Sequence, residues 1–204
     1  MKIAIVDYGM GNIRSIVSTL KYIGVEDVVL SSDFDTLNCA DKIILPGVGS
    51  FGKAITQIRE KNIDKYLNEI VVDNKKPLLG ICLGMQLLGM SSTEDGNNDG
   101  LGYVDGRVEK FDNSLVKVPH VGFNQVKINN SLKMFEGFTE EPADFYFTHS
   151  YRMTSNADIN QCYCNYQDDF VASFEFGNIA GAQFHPELSQ TNGLRLLKNF
   201  IDKF

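Results

Sequence analysis

Pro77-Leu78-Leu79-Gly80-Ile81-Cys82-Leu83-Gly84-Met85-Gln86-Leu87-Leu88 is the stretch that decides the fold. An apolar run of strand length meets two glycines that bracket a thiol, and a helix-like run follows. This is the thiol version of the G-x-nucleophile-x-G turn, a sharp strand-to-helix elbow that stands a reactive side chain above a parallel sheet. The glycines let the backbone turn tightly and the two elements pack closely. Leu83 to Met90 reads as helix, which places Cys82 at a helix N-terminus, where aligned peptide dipoles favour a thiolate. Taken alone, Gly80 to Gly84 fits equally well a buried cysteine at the end of a core strand.

The segments before the elbow alternate strand and helix. Lys2 to Asp7, Val28 to Leu30 and Lys42 to Leu45 read as short buried strands. Ile13, Ile16, Val17, Leu20 and Ile23 form a helical stripe, and Phe51 to Val72 reads as helix, in two pieces near Lys61-Asn62. This alternation predicts parallel βαβ units with helices on both faces. After Ser91 the pattern changes. Ser91 to Gly102 is polar and reads as a loop. Val104 to Phe111, Val116 to Ile128, Phe145 to Thr148, Gln161 to Tyr166, Phe170 to Glu175 and Asn178 to Gln183 read as strands. Turn signals stand at Asn129-Asn130 and Gly177-Asn178. Asn192 to Phe204 is an amphipathic helix. The predicted architecture is a single α/β domain over residues 1–204. Its flavodoxin-like, mostly parallel sheet carries helices on both faces and an antiparallel extension in the second half.

Composition narrows the functional class. The 204 residues allow a sizeable core, and 26 acidic against 19 basic residues give a net charge of −7. That balance, with no basic run interleaved with aromatics, argues against a nucleic-acid partner or an anionic membrane surface. No apolar run reaches membrane-spanning length, and Met1 to Asp7 is too short an apolar opening for a secretion signal. Cys39, Cys82, Cys162 and Cys164 show no disulfide framework, so a cytoplasmic location is expected. Cys162 and Cys164 share one face of a strand and read as core; no metal site is predicted.

Asp7-Tyr8-Gly9-Met10-Gly11-Asn12 imitates a dinucleotide-binding turn but carries Arg14 where the third glycine belongs, so a tight turn is expected and no cofactor. Pro46-Gly47-Val48-Gly49-Ser50 ends another strand on the same sheet edge as Cys82, placed to aim backbone N–H groups at an oxyanion. A thiol nucleophile also needs a base. Of His120, His149 and His185, only His185 has a carboxylate two residues on. In His185-Pro186-Glu187 the proline biases the histidine to an extended conformation, in which Glu187 reaches the imidazole, the third-group role in a triad.

Together, Gly80-Ile81-Cys82-Leu83-Gly84-Met85-Gln86 and Gln183-Phe184-His185-Pro186-Glu187 resemble the class I, triad-type glutamine amidotransferases over essentially the whole chain. The turn at Asp7 to Asn12, Pro46 to Gly49, and Pro119-His120-Val121-Gly122-Phe123-Asn124 are similar to one branch of that family. In this branch a glutaminase subunit feeds ammonia to a separate (β/α)8-barrel synthase acting on a phosphoribosyl-containing imidazole precursor. The resemblance implies that Cys82 is the nucleophile, His185 the base and acid, and Glu187 its orienter. It implies oxyanion donors at Val48, Gly49 and Leu83, and contacts to L-glutamine from Gln86, Glu94, Ser150 and Tyr151. Asn12, Pro119, Phe123, Asn124 and Leu188 would face the synthase, and His120 and His149 would belong to pocket walls or to that face. Three segments depart from the family pattern. Val121 and Phe123 replace Met and Trp, Leu188 replaces Lys, and Asp95 intervenes between Glu94 and the following glycine. A paralogous subunit supplying ammonia to a surface sugar, a stand-alone γ-glutamyl hydrolase and a catalytically silent assembly module are the alternatives.

Overall fold

The computed structural model describes residues 1–204. Its elements, in chain order, begin with β1 (Lys2–Val6), α1 (Ile13–Tyr22), β2 (Asp27–Ser31), α2 (Phe34–Asn38), β3 (Lys42–Leu45), α3 (Phe51–Glu60) and α4 (Ile63–Leu67). The elbow joins β4 (Leu78–Ile81) to α5 (Leu83–Leu87). There follow β5 (Ser91–Ser92), β6 (Asn98–Asp99), β7 (Arg107–Lys110), β8 (His120–Lys127), β9 (Ala143–His149) and β10 (Tyr151–Thr154). The chain closes with β11 (Gln161–Asn165), β12 (Asp169–Phe176), β13 (Ile179–Ala182) and α6 (Gln190–Lys203).

Nine strands form one sheet in the order β2-β1-β3-β4-β13-β12-β11-β8-β9. The first five are parallel and the remaining pairings antiparallel. The parallel half has the flavodoxin-like order, with β13 as its fifth strand. A second sheet, β10-β7-β5-β6, lies beside it. Successive residues of β1 enter opposite cores: Ile3 and Ile5 pack with Ile16, Leu20, Leu196 and Phe200, whereas Ala4 and Val6 pack with Leu37, Ile55, Ile58 and Leu67. Burial on both faces explains why these strands read as continuous apolar runs.

The predicted helical stripe of α1 buries Ile16 and Leu20. The long helical run breaks where expected. Asn62 takes a left-handed conformation (φ 55°) between α3 and α4, and a π-helical segment, Asn68–Asp73, follows. Cys162 and Cys164 are buried in the core, and burial pushes both thiols up to about 12. Four expectations are corrected. Ser91 to Gly102 holds the short antiparallel pair β5–β6 rather than only a loop. Its residues are polar because it lies at the surface, with no apolar alternation to announce it. α2 was missed because its five residues bury only Leu37. β10 was missed because the chain resumes a strand one residue after β9. α5 ends at Leu87, short of the expected Met90, because Leu88 to Met90 turn into the second sheet: the Leu88 carbonyl accepts from the amides of Tyr103 and Val104.

Close packing fixes the elbow. A Cβ on Gly84 would lie 1.9 Å from the Leu45 carbonyl oxygen, and one on Gly80 would lie 2.8 Å from Met85 N. Gly47 is equally constrained, because a Cβ there would sit 2.7 Å from Gly84 N. These glycines let the ends of β3 and β4 and the start of α5 touch backbone to backbone. Gly84→Ala therefore forces α5 away from β3. The expected loss is about 2–3 kcal/mol of stability, read as a drop of several degrees in the thermal midpoint; an unchanged midpoint would contradict this packing account.

Candidate active site

The carboxyl ends of β1, β3, β4 and β13 lie on one edge of the parallel sheet, where this topology places ligands. Cys82 caps α5 with φ 54° and ψ −112°, a backbone conformation unusual for any residue but glycine. Its amide donates to the Ala182 carbonyl at 2.7 Å, which ties the elbow to the end of β13. Three residues further along, the backbone of His185 is clamped twice. Its amide donates to the Tyr146 carbonyl at 2.9 Å, and its carbonyl accepts from the Ser189 hydroxyl at 2.6 Å.

His185 Nδ1 lies 2.8 Å from Glu187 Oε1, with both side chains almost wholly buried. The sequence expectation of an extended route holds only for His185 itself; Pro186–Leu188 is a 3-10 turn, and that turn swings Glu187 back under the ring. Asn12 donates to the same Glu187 oxygen at 3.1 Å. Asn12 was expected at a partner face, yet its amide is spent on orienting the carboxylate. Burial alone would depress the His185 pKa. The nearby Cys82 sulfur, together with the hydrogen bond and charge of Glu187, more than offsets that and raises it to about 10. The imidazole therefore holds a proton at neutral pH, between a carboxylate and a sulfur atom.

A cavity of about 330 Å³ opens over the sulfur. Val48, Gly49, Cys82, Leu83, Gln86, Glu94, Ser150, Tyr151 and His185, all singled out from sequence, line it, joined by Thr148 and His149. Glu94 accepts from the Phe51 amide at 2.8 Å, at the N-terminus of α3, and burial raises its pKa. Gln86 donates to the Tyr151 carbonyl at 2.9 Å and to Gln183 Oε1 at 2.8 Å. Pro119, Phe123, Asn124 and Leu188 lie outside the cavity; Phe123 and Leu188 are exposed. No group of three or more His, Cys, Asp or Glu side chains is arranged to hold a metal ion.

Sequence reading missed two contributors. Gln183 is fully buried and donates to the Cys82 sulfur at 3.7 Å. Its signal was present: in an extended segment, Gln183 and His185 face one way, and Phe184, stacked on Phe145 at 4.0 Å, faces the core. Tyr8 donates to the Pro46 carbonyl at 2.7 Å and so holds the Pro46 to Gly49 turn against the elbow. Gly49 takes φ 108° there, with Met10 packed so closely that a Cβ would lie 2.6 Å from its methyl carbon.

The family profile for glutamine amidotransferase class-I matches residues 4–204. The chain belongs to the class-I glutamine amidotransferase family. Its relatives include an imidazole glycerol phosphate synthase subunit HisH 2 from Vibrio vulnificus, 41% identical over 99% of this chain and 94% of that one. Another is the HisH subunit from Aquifex aeolicus, 41% identical over 100% of this chain and 97% of the relative. Among solved structures, PurLQS from Thermotoga maritima superposes with a TM-score of 0.76 at 22% identity, covering 98% of this chain and 97% of that one, a likeness of fold. This edge of the sheet brings together, around one small cavity, a thiol, an imidazole backed by a carboxylate and the Val48-Gly49 turn.

The pKa values of the three histidines of this amidotransferase are shifted in opposite directions. Burial lowers His120 to about 4 and His149 to about 3, whereas His185 rises to about 10, against an ordinary value of 6.5. The stabilisation contributed by His185 is full below its unfolded value and is lost as pH climbs through about 10. That from neutral His120 and His149 is full above 6.5 and is lost as pH falls toward 3. Imidazole NMR should show one ring protonated at neutral pH and two neutral, and Cys82→Ala should move the charged ring's midpoint down. Three rings titrating together near 6.5 would contradict the assignment.

Proposed function

We propose that this chain hydrolyses L-glutamine to glutamate and ammonia by covalent catalysis at Cys82, and hands the ammonia to a separate synthase subunit in histidine biosynthesis. The observation that carries the reading is Cys82 and His185 on the wall of one cavity sized for one amino acid, with Glu187 2.8 Å behind the imidazole and Nε2 left without a hydrogen-bond partner. The Cys82 sulfur adds to the γ-carboxamide carbon, and the negative charge that forms on oxygen is met by N–H donors from Leu83 and the Val48-Gly49 turn. Each such donor contributes on the order of 3 kcal/mol of transition-state stabilisation. His185 gives its proton to the amide nitrogen, ammonia leaves, and a γ-glutamyl thioester remains. The neutral imidazole then takes a proton from water, hydroxide attacks the thioester carbonyl, the S–C bond breaks to return the Cys82 thiolate, and glutamate is released. Glu187, itself held by Asn12, keeps Nδ1 protonated and Nε2 turned to the sulfur.

Gln86, Glu94, Ser150 and Tyr151 receive the amino-acid end of glutamine. The carboxylate of Glu94 is the natural partner for the α-ammonium group. No cofactor is required by this chemistry. Full-length similarity to subunits named for imidazole glycerol phosphate synthase supports a (β/α)8-barrel synthase as the partner and the cytoplasm as the setting. No helix is long and apolar enough to cross a membrane. The exposed residues Val121, Phe123 and Leu188 would be the apolar part of the docking face, with Phe123 an aromatic anchor, whereas the Asn124 side chain turns to His120 and Asn165.

Ammonia release measured with glutamine alone, and again with the liganded synthase present, tests both halves of the proposal. Turnover should be low alone and rise at least tenfold on docking, and Cys82→Ser and His185→Asn should each abolish it. Equal turnover with and without the synthase favours the stand-alone hydrolase; no turnover in either state favours the silent module. Stimulation by a sugar-amidating partner instead of the histidine-pathway barrel would reassign the acceptor.

A further inference from the structure

An unbroken series of hydrogen bonds joins Asn124 on β8 to the cavity wall. The Asn124 side-chain amide lies 3.2 Å from His120 Nε2, His120 Nδ1 lies 3.0 Å from His149 Nε2, and His149 Nδ1 lies 2.7 Å from the Tyr151 carbonyl oxygen. The carbonyl can only accept, so His149 carries its proton on Nδ1 and presents a bare Nε2. His120 must then donate through its own Nδ1, which leaves its Nε2 to accept from Asn124. The second proton of that amide goes to the Asn165 carbonyl at 3.2 Å, so each N–H proton in the series has an acceptor and the ring-to-ring direction is fixed.

The same Tyr151 carbonyl accepts from Gln86, whose other proton goes to Gln183, which in turn donates to the Cys82 sulfur. Packing holds the rings in place. His120 is stacked between Phe147 and Tyr166 at centroid distances of 4.9 and 4.0 Å, and the edge of Phe111 closes on both histidines. Neither ring is used by the triad, and both are buried.

We propose that His120 and His149 are positioning residues that fix the Tyr151 carbonyl, and through it Gln86 and Gln183, in the geometry the glutamine cavity needs. The proposal rests on the glutaminase reading for its effect on turnover and on geometry alone for the direction of the series. Burial supports it independently, since both rings are held neutral far below physiological pH, as a one-way donor series requires. The wall formed by Ser150 and Tyr151 is thereby tied to β8, the strand that also carries Phe123.

Two measurements on the full chain test it. Long-range proton–nitrogen NMR of the unmodified protein at neutral pH reads each ring's tautomer directly. Protons on Nδ1 of both His120 and His149 are expected; a proton on Nε2 of either ring overturns the series whether or not the chain hydrolyses glutamine. The second is steady-state glutaminase kinetics of His149 variants. His149→Leu removes the donor to Tyr151, and a single lost hydrogen bond in the cavity wall should raise KM for glutamine about tenfold with kcat within about twofold. His149→Asn keeps an N–H near the Nδ1 position and should return KM to within about twofold of the parent. A leucine variant with unchanged KM, or an asparagine variant no better than leucine, overturns the positioning role. If the parent itself fails to turn over glutamine, the functional reading fails and the tautomer result still decides the series.

Discussion

The structure turns on one backbone contact, the approach of Gly84 to the Leu45 carbonyl. It exists because neither Gly80 nor Gly84 carries a Cβ, and it forces the chain through Cys82 at φ 54°. A non-glycine residue held in such a conformation costs about 1–3 kcal/mol. The helix that follows offsets this, since Leu83, Met85 and Leu87 are all buried and each contributes about 1.5–3 kcal/mol on leaving water. Burial exceeds strain, so the elbow is stable, and the strain is confined to the residue whose sulfur is presented.

The rest of the site follows from where β13 lies. After the antiparallel half has been laid down, the chain returns to the parallel sheet next to β4, with Ala182 level with Ile81. The Cys82 amide and the Ala182 carbonyl then bond across the junction, and His185 emerges beside the sulfur. Asn12, from the end of β1, reaches Glu187 from the other side. Four strand ends thus contribute to one edge, and the meeting of Cys82, His185 and Glu187 there depends on sheet order more than on any local motif.

This division explains what could be read from the chain. Cys82 between two glycines and His185 two residues from Glu187 are local patterns, and the strands of the parallel half are apolar runs, so both were legible. Gln183 and Tyr8 act through partners 101 and 38 residues away, contacts that no spacing rule encodes. Asn12 was recognisable as a turn residue, but its bond to Glu187 spans 175 residues. The small second sheet was partly hidden because Ser91–Ser92 and Asn98–Asp99 are polar two-residue strands with no alternation to read. The 3-10 turn at Pro186 shows a correct contact reached by a different local geometry from the one expected.

The three histidines occupy three electrostatic settings: one charged between a sulfur and a carboxylate, two neutral in an aromatic cage. Only the first can donate a proton to a leaving group at neutral pH, which makes covalent chemistry at Cys82 the central claim. Acid-quenched mass spectrometry of the protein during glutamine turnover tests it most directly. A γ-glutamyl group carried by the peptide containing Cys82, and missing in Cys82→Ser, is the predicted result. Glutamate accumulating while that peptide stays unmodified would contradict the account.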